Sequence, residues 1–185
     1  MTEKIIIAGA GGQGIMLLGK VLAMAAMRKG EFVTALPSYG AEVRGGTAHC
    51  MVVISDQEIG SPYIEEADTL IIMNRPSLER FKARAKNKGL FLINSSLACL
   101  SGRQAGRPSG RGIRVLECPF TDLAIKLGNI KVANMVALGL FLSQSKDLEL
   151  KDALGVIADI APEDKKGLID INKRALEEGL SYGSR

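Results

Sequence analysis

Apolar residues in this chain fall into short continuous runs, separated by segments with helical spacing. Runs of roughly four to eight aliphatic and β-branched residues are typical of strands that are buried on both faces. Runs of this kind occur at residues 48–55, 69–73 and 90–93, and shorter or mixed segments typical of strands occur at residues 4–8, 32–36 and 112–118. The pattern therefore predicts a strand at each of these places.

Helical periodicity occupies the segments between and after these runs. Residues 15–28 carry apolar side chains at the spacing of one helical face, which we expect to be buried. This face consists of Leu17, Leu18, Val21, Leu22 and Ala25. Further helices are predicted over residues 75–86, from Thr121, over 130–143 and over 150–180. Because strands alternate with helices, we expect one α/β domain over residues 1–185, a three-layer, Rossmann-like, mostly parallel sheet with helices on both faces and a helical C-terminal part.

Composition is ordinary for a globular protein, with 46% hydrophobic and 24% charged residues among 185. Residues 1–4 lead into an apolar run that is too brief for a secretory leader. The longest later apolar stretch, residues 132–142, contains Asn134 and is shorter than the roughly 20 residues that cross a membrane. We therefore expect a soluble, cytoplasmic protein without a membrane partner.

Metal and catalytic chemistry find little support in the residue types. Three dispersed cysteines (Cys50, Cys99 and Cys118) and a single histidine, His49, do not form the ligand set of a zinc or iron–sulfur site. No nucleophile or acid–base pair can be assembled from the remaining residues. We expect no metal site and no catalytic residue in this chain, and we interpret His49 as a structural histidine.

Positive charge is concentrated between Arg75 and Arg114, where ten Lys or Arg residues accompany one acid, Glu79. Such a segment can meet phosphates, an acidic protein or nucleic acid, or it can be a solvated helix face followed by an Arg/Gly loop over residues 101–112. Proteins that bind single-stranded nucleic acid usually place several stacking rings among the cations, and here only Phe81 and Phe91 are present. We therefore expect no nucleic-acid partner.

A glycine turn, "GAGGQG", follows the first predicted strand and consists of Gly9, Gly11, Gly12, Gln13 and Gly14 with Ala10. Its spacing fits the G-x-G-x-x-G of dinucleotide-binding proteins, which also need a carboxylate at the far end of the second strand for the ribose. That strand ends "TALPSYG" without an acid, and Glu31 stands at its start. Two interpretations remain open: the glycines permit close strand–helix packing, or a phosphate or another backbone lies against the turn.

A second glycine-rich segment, "PSYGAEVRGGTAHC", follows the second predicted strand. Its candidate site residues are Tyr39, Glu42, Arg44, Gly45 and Gly46. Arg44 offers a planar fork for a carboxylate or a phosphate, whereas a Glu42–Arg44 ion pair would merely hold the loop. Because the segment leaves the carboxyl end of a strand, we expect it to lie at the same sheet edge as the glycine turn.

These two segments, together with "SDQEIGSP" (residues 55–62) and "GNIKVANMVALG" (residues 128–139), resemble the gamma subunit of 2-oxoacid:ferredoxin oxidoreductases. The same module occurs within single-chain pyruvate:ferredoxin oxidoreductases and in indolepyruvate oxidoreductase. Four motifs in this order are specific, and the resemblance covers nearly the whole chain.

The resemblance implies an accessory subunit of an enzyme that converts a 2-oxoacid and coenzyme A into an acyl-CoA and CO2 and passes electrons to ferredoxin. Its complex would use thiamine diphosphate, Mg²⁺, iron–sulfur clusters and coenzyme A, held by alpha, beta and in some cases delta subunits and none of them by this chain alone. The substrate implied is 2-oxoglutarate, followed by branched-chain oxoacids and pyruvate. A homodimer also stays open.

On this interpretation both glycine-rich segments face the assembled active site, as a surface for coenzyme A or for a partner subunit. The small residues Ala133, Ala137 and Gly139 either admit a partner helix or serve internal packing. The alternative function is a freestanding Rossmann-type nucleotide-binding protein.

Overall fold

One six-stranded sheet, in the order β2-β3-β1-β4-β5-β6, forms the centre of the computed structural model, which describes residues 1–38, 47–98, 111–161 and 166–184. The strands are β1 (Thr2–Gly9), β2 (Phe32–Ser38), β3 (Ala48–Ser55), β4 (Ala67–Ile72), β5 (Ala85–Asn94) and β6 (Arg114–Cys118). The helices are α1 (Ile15–Arg28), α2 (Arg75–Phe81), α3 (Ser95–Ala98), α4 (Phe120–Lys126), α5 (Ala133–Gln144), α6 (Leu150–Ile160) and α7 (Lys166–Gly183). Short 3₁₀ helices lie at Lys82–Arg84 and Ile130–Val132.

Strand directions confirm the mostly parallel sheet, with one exception. β1, β4, β5 and β6 run parallel, and β3 is antiparallel to both of its neighbours, β1 and β2. Since the chain between β2 and β3 is shorter than the dozen or so residues of a parallel crossover, the antiparallel pairing follows from its length. The register aligns Ser38 with His49 and His49 with Ala8, which places the end of β2 beside the end of β1.

Helices cover both faces, as the three-layer prediction requires. Ile5, Ile7 and Val52 face a core shared with α1, α4, α5, α6 and α7. Ile6 and Val53 point to the other face, which α2, α3 and part of the connection between β3 and β4 cover. Among the described residues, no helix is long and apolar enough to cross a membrane.

Helix α5 is buried on every side from Ala133 to Leu142, and α7 packs directly on its backbone. A Cβ atom on Gly139 would lie 2.1 Å from the Leu176 carbonyl oxygen, and one on Gly179 would lie 2.0 Å from the Val136 carbonyl oxygen. Gly139 therefore serves internal packing, against a helix of the same chain.

Two predicted element boundaries and one predicted buried residue need correction. The helix predicted over residues 75–86 ends at Phe81, and β5 already begins at Ala85, since its first residues form a polar extension that pairs beyond the buried run. Leu17, expected in the buried face of α1, is 41% exposed, whereas the rest of that predicted face is buried.

Candidate functional site at the carboxyl edge of the sheet

The carboxyl edge, where the parallel strands end, brings together the glycine turn and the starts of several helices. Gly9 closes β1, and α1 begins at Ile15. A Cβ atom on Gly9 would lie 2.7 Å from Gln13 Oε1 and from Ile15 Cδ1, and 2.9 Å from Met73 Cβ. Gly9 is thus required for close packing, which is one of the two interpretations predicted for the glycines.

Gly12 and Gly14 adopt backbone conformations that side chains disfavour. Their φ angles are +84° and +71°. Gly12 has open space where a Cβ atom would be, whereas a Cβ atom on Gly14 would lie 2.3 Å from Asn134 Nδ2. Gly12 therefore satisfies only a backbone requirement, and Gly14 satisfies a backbone and a packing requirement.

Gln13 holds the turn from within. Its Oε1 atom accepts a hydrogen bond from the Ala10 N–H at 2.7 Å, and its Nε2 atom donates to the Met73 carbonyl at a long 3.5 Å. Because both ends of this side chain are engaged inside the chain, it is the backbone of the turn that faces outward.

Two buried asparagines, which the sequence did not single out as site residues, complete the support of this edge. Asn94, at the end of β5, donates to the Met73 carbonyl at 3.0 Å and to Thr121 Oγ1 at 2.9 Å. Asn134, in the first turn of α5, donates to the Gly14 carbonyl at 3.1 Å. For Asn134 the sequence offers one signal, a single amide inside an otherwise apolar stretch, since buried amides need partners.

Several backbone N–H groups at this edge have no hydrogen-bond acceptor in the described parts of the chain. The first-turn N–H groups of α1, at Ile15, Met16 and Leu17, find no acceptor there, and no side chain caps the helix at Gly14. Unpaired N–H groups at a helix start carry partial positive charge and bind anions or carbonyl oxygens. The edge can therefore take an acceptor from outside the chain.

Large apolar side chains are exposed around the same edge. Leu17 lies in the first turn of α1 and Leu97 in α3, directly after β5, and they are 41% and 46% exposed. Ile130, 57% exposed, lies just before α5. Leu168 is 42% exposed in the first turns of α7, which starts at the same end as α5 because the two helices pack in parallel. Apolar groups beside open donors are typical of a surface that a partner covers.

The second glycine-rich segment cannot be described in the same way. Its predicted site residues lie outside the described residues, namely Tyr39, Glu42, Arg44, Gly45 and Gly46. The flanking Ser38 and Thr47 both lie at the carboxyl edge, and Arg80 donates to Thr47 Oγ1 at 2.6 Å. His49 is buried, with its ring centroid 5.0 Å from that of Phe81, as expected for a structural histidine.

The acid needed for a dinucleotide site is not supplied by the described part of β2. Glu31 precedes Phe32, which is aligned with Ser55 and, through it, with Thr2. Glu31 therefore lies at the opposite edge of the sheet from the glycine turn, as predicted.

The described cysteines are unsuited to redox or metal chemistry. Burial raises the pKa of the Cys50 thiol to about 11, and burial together with Glu178 raises the pKa of the Cys118 thiol to about 12. Within the described residues no three His, Cys, Asp or Glu side chains gather as a metal site, and Cys99 lies outside them. Both described thiols stay protonated at neutral pH.

Cations of the basic segment are dispersed over both faces of the sheet. Lys86 pairs with Asp68 at 2.9 Å, Lys82 pairs with Glu79, and Arg84 donates to the Glu65 carbonyl at 3.0 Å. On the other face, Arg114 donates to Gln144 at 2.8 Å. This dispersal favours the solvated interpretation for the described part of the segment, whereas Arg103 and Arg107 lie outside it.

A cleft at the opposite, amino edge is a weaker candidate. It encloses about 470 Å³ between the sheet and residues 58–63. Asp68 in its wall accepts from the Lys4 N–H at 3.0 Å and from Lys86 at 2.9 Å, so both carboxylate oxygens are engaged within the chain. The carboxyl edge is therefore the better candidate.

Comparisons with known proteins identify one family and several similar subunits. The family model "Pyruvate ferredoxin/flavodoxin oxidoreductase" matches residues 4–182. The ketoisovalerate oxidoreductase subunit VorA of Methanothermobacter thermautotrophicus is 34% identical over 179 residues, which are 97% of this chain. The 2-oxoglutarate synthase subunit KorC of Methanothermobacter marburgensis is 34% identical over 166 residues, or 89% of this chain. The crystal structure of the gamma subunit of keto/oxoacid ferredoxin oxidoreductase from Geobacter sulfurreducens superposes with a TM-score of 0.81, at 26% identity and covering 98% of both chains.

These relatives differ in how much of their length the chain accounts for. It spans 36% of the VorA subunit and 84% of the KorC subunit. The similarity to VorA therefore concerns one part of a longer protein, whereas the similarity to KorC and to the Geobacter structure extends over most or all of the relative.

Proposed function

The chain belongs to the pyruvate ferredoxin/flavodoxin oxidoreductase family, and from this membership we propose that it is the gamma subunit of a multi-subunit 2-oxoacid:ferredoxin oxidoreductase. The complex would convert a 2-oxoacid and coenzyme A into an acyl-CoA and CO2 and pass the electrons to ferredoxin. The chain itself would be inactive without its partners.

The carboxyl edge is the part of this chain that we assign to the assembled active site. The observation that carries this proposal is that open N–H groups lie in the first turn of α1 together with exposed Leu17, and that exposed Leu97 lies at the same edge of the sheet. The N–H groups suit either a phosphate of coenzyme A or carbonyl oxygens of a partner backbone, and the apolar side chains suit a partner subunit. Gly11 and Gly12 would allow that close approach, and Arg44 would supply a cation beside it.

Cofactor chemistry is assigned to other chains of the complex. Thiamine diphosphate with Mg²⁺ and the iron–sulfur clusters would be held by alpha, beta or delta partners, because the described part of this chain offers no ligand cluster for a metal. Such an enzyme, which consumes coenzyme A and reduces ferredoxin, would operate in the cytoplasm.

The substrate that we propose to assay first is 2-oxoglutarate, with ketoisovalerate second. Relatives named for these two substrates share the same identity with the chain, 34%, over 166 residues for the KorC subunit and 179 residues for the VorA subunit. Substrate choice would reside mainly in the partner chains.

Isolation of the complex tests the proposal. The tagged chain is purified from its native host without oxygen, co-purifying chains are identified by mass, and reduction of ferredoxin is followed with each 2-oxoacid. We expect thiamine-diphosphate-binding partners and coenzyme A-dependent activity. A chain that purifies alone and binds NAD(P) or FAD would instead establish the freestanding nucleotide-binding alternative.

A matched pair of variants on one helix tests the assignment of the edge. Leu17 and Met27 are both exposed on α1, at its first and last turns, and are 41% and 60% exposed. We expect Leu17→Gln to weaken partner binding about tenfold, and Met27→Gln, at the far end, to leave it unchanged. Equal effects, or none from either, would contradict the placement of the interface.

A further inference from the structure

A single buried side chain connects the glycine turn to the helical layer. Asn134 is 2% exposed and lies 120 residues from Gly14 in the sequence. Its Nδ2 atom donates to the Gly14 carbonyl at 3.1 Å, and its Oδ1 atom accepts from the Met135 N–H at 2.9 Å. Because both ends of the amide are engaged, the side chain has one orientation.

The Gly14 carbonyl is the acceptor that starts α1. It takes the Leu18 N–H at 3.0 Å as well as the Asn134 amide, so both of its lone pairs are engaged. Gly14 has a left-handed φ of +71°, and its Cα is so close to Asn134 that a Cβ atom would lie 2.3 Å from Nδ2. The Gly14–Ile15 peptide group, which carries the Gly14 carbonyl and the Ile15 N–H, is thus fixed in direction from α5.

We infer that Asn134 is a positioning residue, which sets the direction of the N–H groups of the glycine turn and of the first turn of α1. Its bond to Gly14 holds the turn in the conformation that presents these donors outward. Gln13 and Asn94 support the same turn through the Met73 carbonyl, but neither side chain forms a hydrogen bond with Gly14 in the described chain. The consequence for coenzyme A or partner binding rests on the function proposed above, whereas the effect on the turn does not.

The decisive variant is Asn134→Asp, which keeps the shape and the acceptor for Met135 but replaces the donor to Gly14 with an oxygen that repels the Gly14 carbonyl oxygen. Asn129→Asp is the matched control, because the Asn129 side chain accepts from the Lys131 N–H at 3.0 Å and forms no other hydrogen bond among the described residues, and Asp caps equally well. The first measurement is the amide NMR spectrum of the full chain. We expect the Gly11, Gly12 and Gly14 resonances to shift in Asn134→Asp and not in Asn129→Asp.

The second measurement uses the reconstituted complex. We expect Asn134→Asp to raise the KM for coenzyme A, or the dissociation constant for the partner chains, about tenfold, the equivalent of one lost hydrogen bond, while kcat changes less than twofold. A merely structural role would lower the amount of folded protein and leave KM unchanged.

Failure of the inference about Asn134 and failure of the proposed function would give different results. Unchanged glycine resonances in Asn134→Asp would overturn the inference, whatever the activity. If the resonances shift but the wild-type chain neither assembles nor supports oxoacid oxidation, the proposed function falls while the positioning role of Asn134 stands.

Discussion

The two edges of the sheet use polar groups in opposite ways. At the amino edge Asp68 accepts from the Lys4 N–H and from Lys86, and Glu3 accepts from Thr69, so ionised groups are paired with one another or with hydroxyls. At the carboxyl edge neutral amides, Asn94 and Asn134, hold the backbone from inside and leave N–H groups open outside. Charge pairing alone therefore does not locate the candidate site: the edge that leaves backbone donors open is the one that we propose to bind.

The largest effect should come from the buried amide of Asn94. Asn94→Ala removes three hydrogen bonds that connect β5 to the end of β4 and to α4, and we expect a loss of about 3 kcal/mol of unfolding free energy. Urea denaturation measures it. Asn87→Ala, at the amino end of the same strand, removes one exposed acceptor and should cost about 0.5 kcal/mol or less. Similar losses of unfolding free energy at the two ends of β5 would contradict the difference drawn between the two edges of the sheet.

Two variants of the glycine turn distinguish its contribution to stability from its contribution to binding. We expect Gly14→Ala to cost about 2 kcal/mol, from a left-handed φ and the contact with Asn134, and Gly12→Ala about 1 kcal/mol, from φ alone. Both should impair coenzyme A or partner binding, which is measured on the assembled complex. A Gly12→Ala variant with full activity would show that the outward backbone of the turn is not used.

The contribution of Glu3 to folding stability should change with pH in the direction opposite to that of a carboxylate in a stabilising ion pair. Burial raises the pKa of Glu3 against the hydrogen bond from Thr69, with further contributions from Asp68 and Asp147. A raised pKa in the folded state means that the ionised carboxylate destabilises the fold at neutral pH and that this cost disappears as pH falls through the raised value. Glu3→Gln should therefore be more stable than wild type at neutral pH.

The free energy of unfolding of the wild type and of Glu3→Gln, measured by heat or urea from neutral pH downward, tests this prediction. The advantage of Glu3→Gln should shrink as the pH approaches the ordinary range of a glutamate. A pH-independent difference would assign the effect to packing instead.

The smallest effect is expected for Asp68→Asn. Its partner Lys86 is exposed, so the variant should lose about 0.5 kcal/mol or less, and the difference should vanish in about 1 M salt. Unfolding at low and high salt measures it. A loss that persists in high salt would mean that the amino edge depends on Asp68 for more than charge pairing.

Much of the fold could be predicted from the sequence because buried strands require continuous apolar runs. β3 and the apolar part of β5, including the fully buried Phe91, follow this rule. The start of β5 does not, since Lys86 and Lys88 belong to a polar extension that an apolar pattern cannot show. Leu17 fits the helical spacing of the buried face and yet is exposed, because periodicity gives the face of a helix but not where the neighbouring elements stop.

The candidate site was predictable only in part. The glycine spacing located the turn, and Gly9, Gly12 and Gly14 each have a steric or conformational reason to be glycine. The role of Asn134 depends on a contact across 120 residues, and no local pattern contains that information.

The contact between α5 and α7 has a mechanical consequence. Because the backbone of α7 touches that of α5 at Gly139 and Gly179, no flexible side chain lies between them to absorb a displacement. The two helices should therefore move together as one rigid unit, with Leu168 and Asn134 both near the end that meets the glycine turn. A partner that displaces Leu168 would therefore also displace Asn134 and the glycine turn. Partner binding at the carboxyl edge and alignment of the N–H donors of the turn would then be coupled.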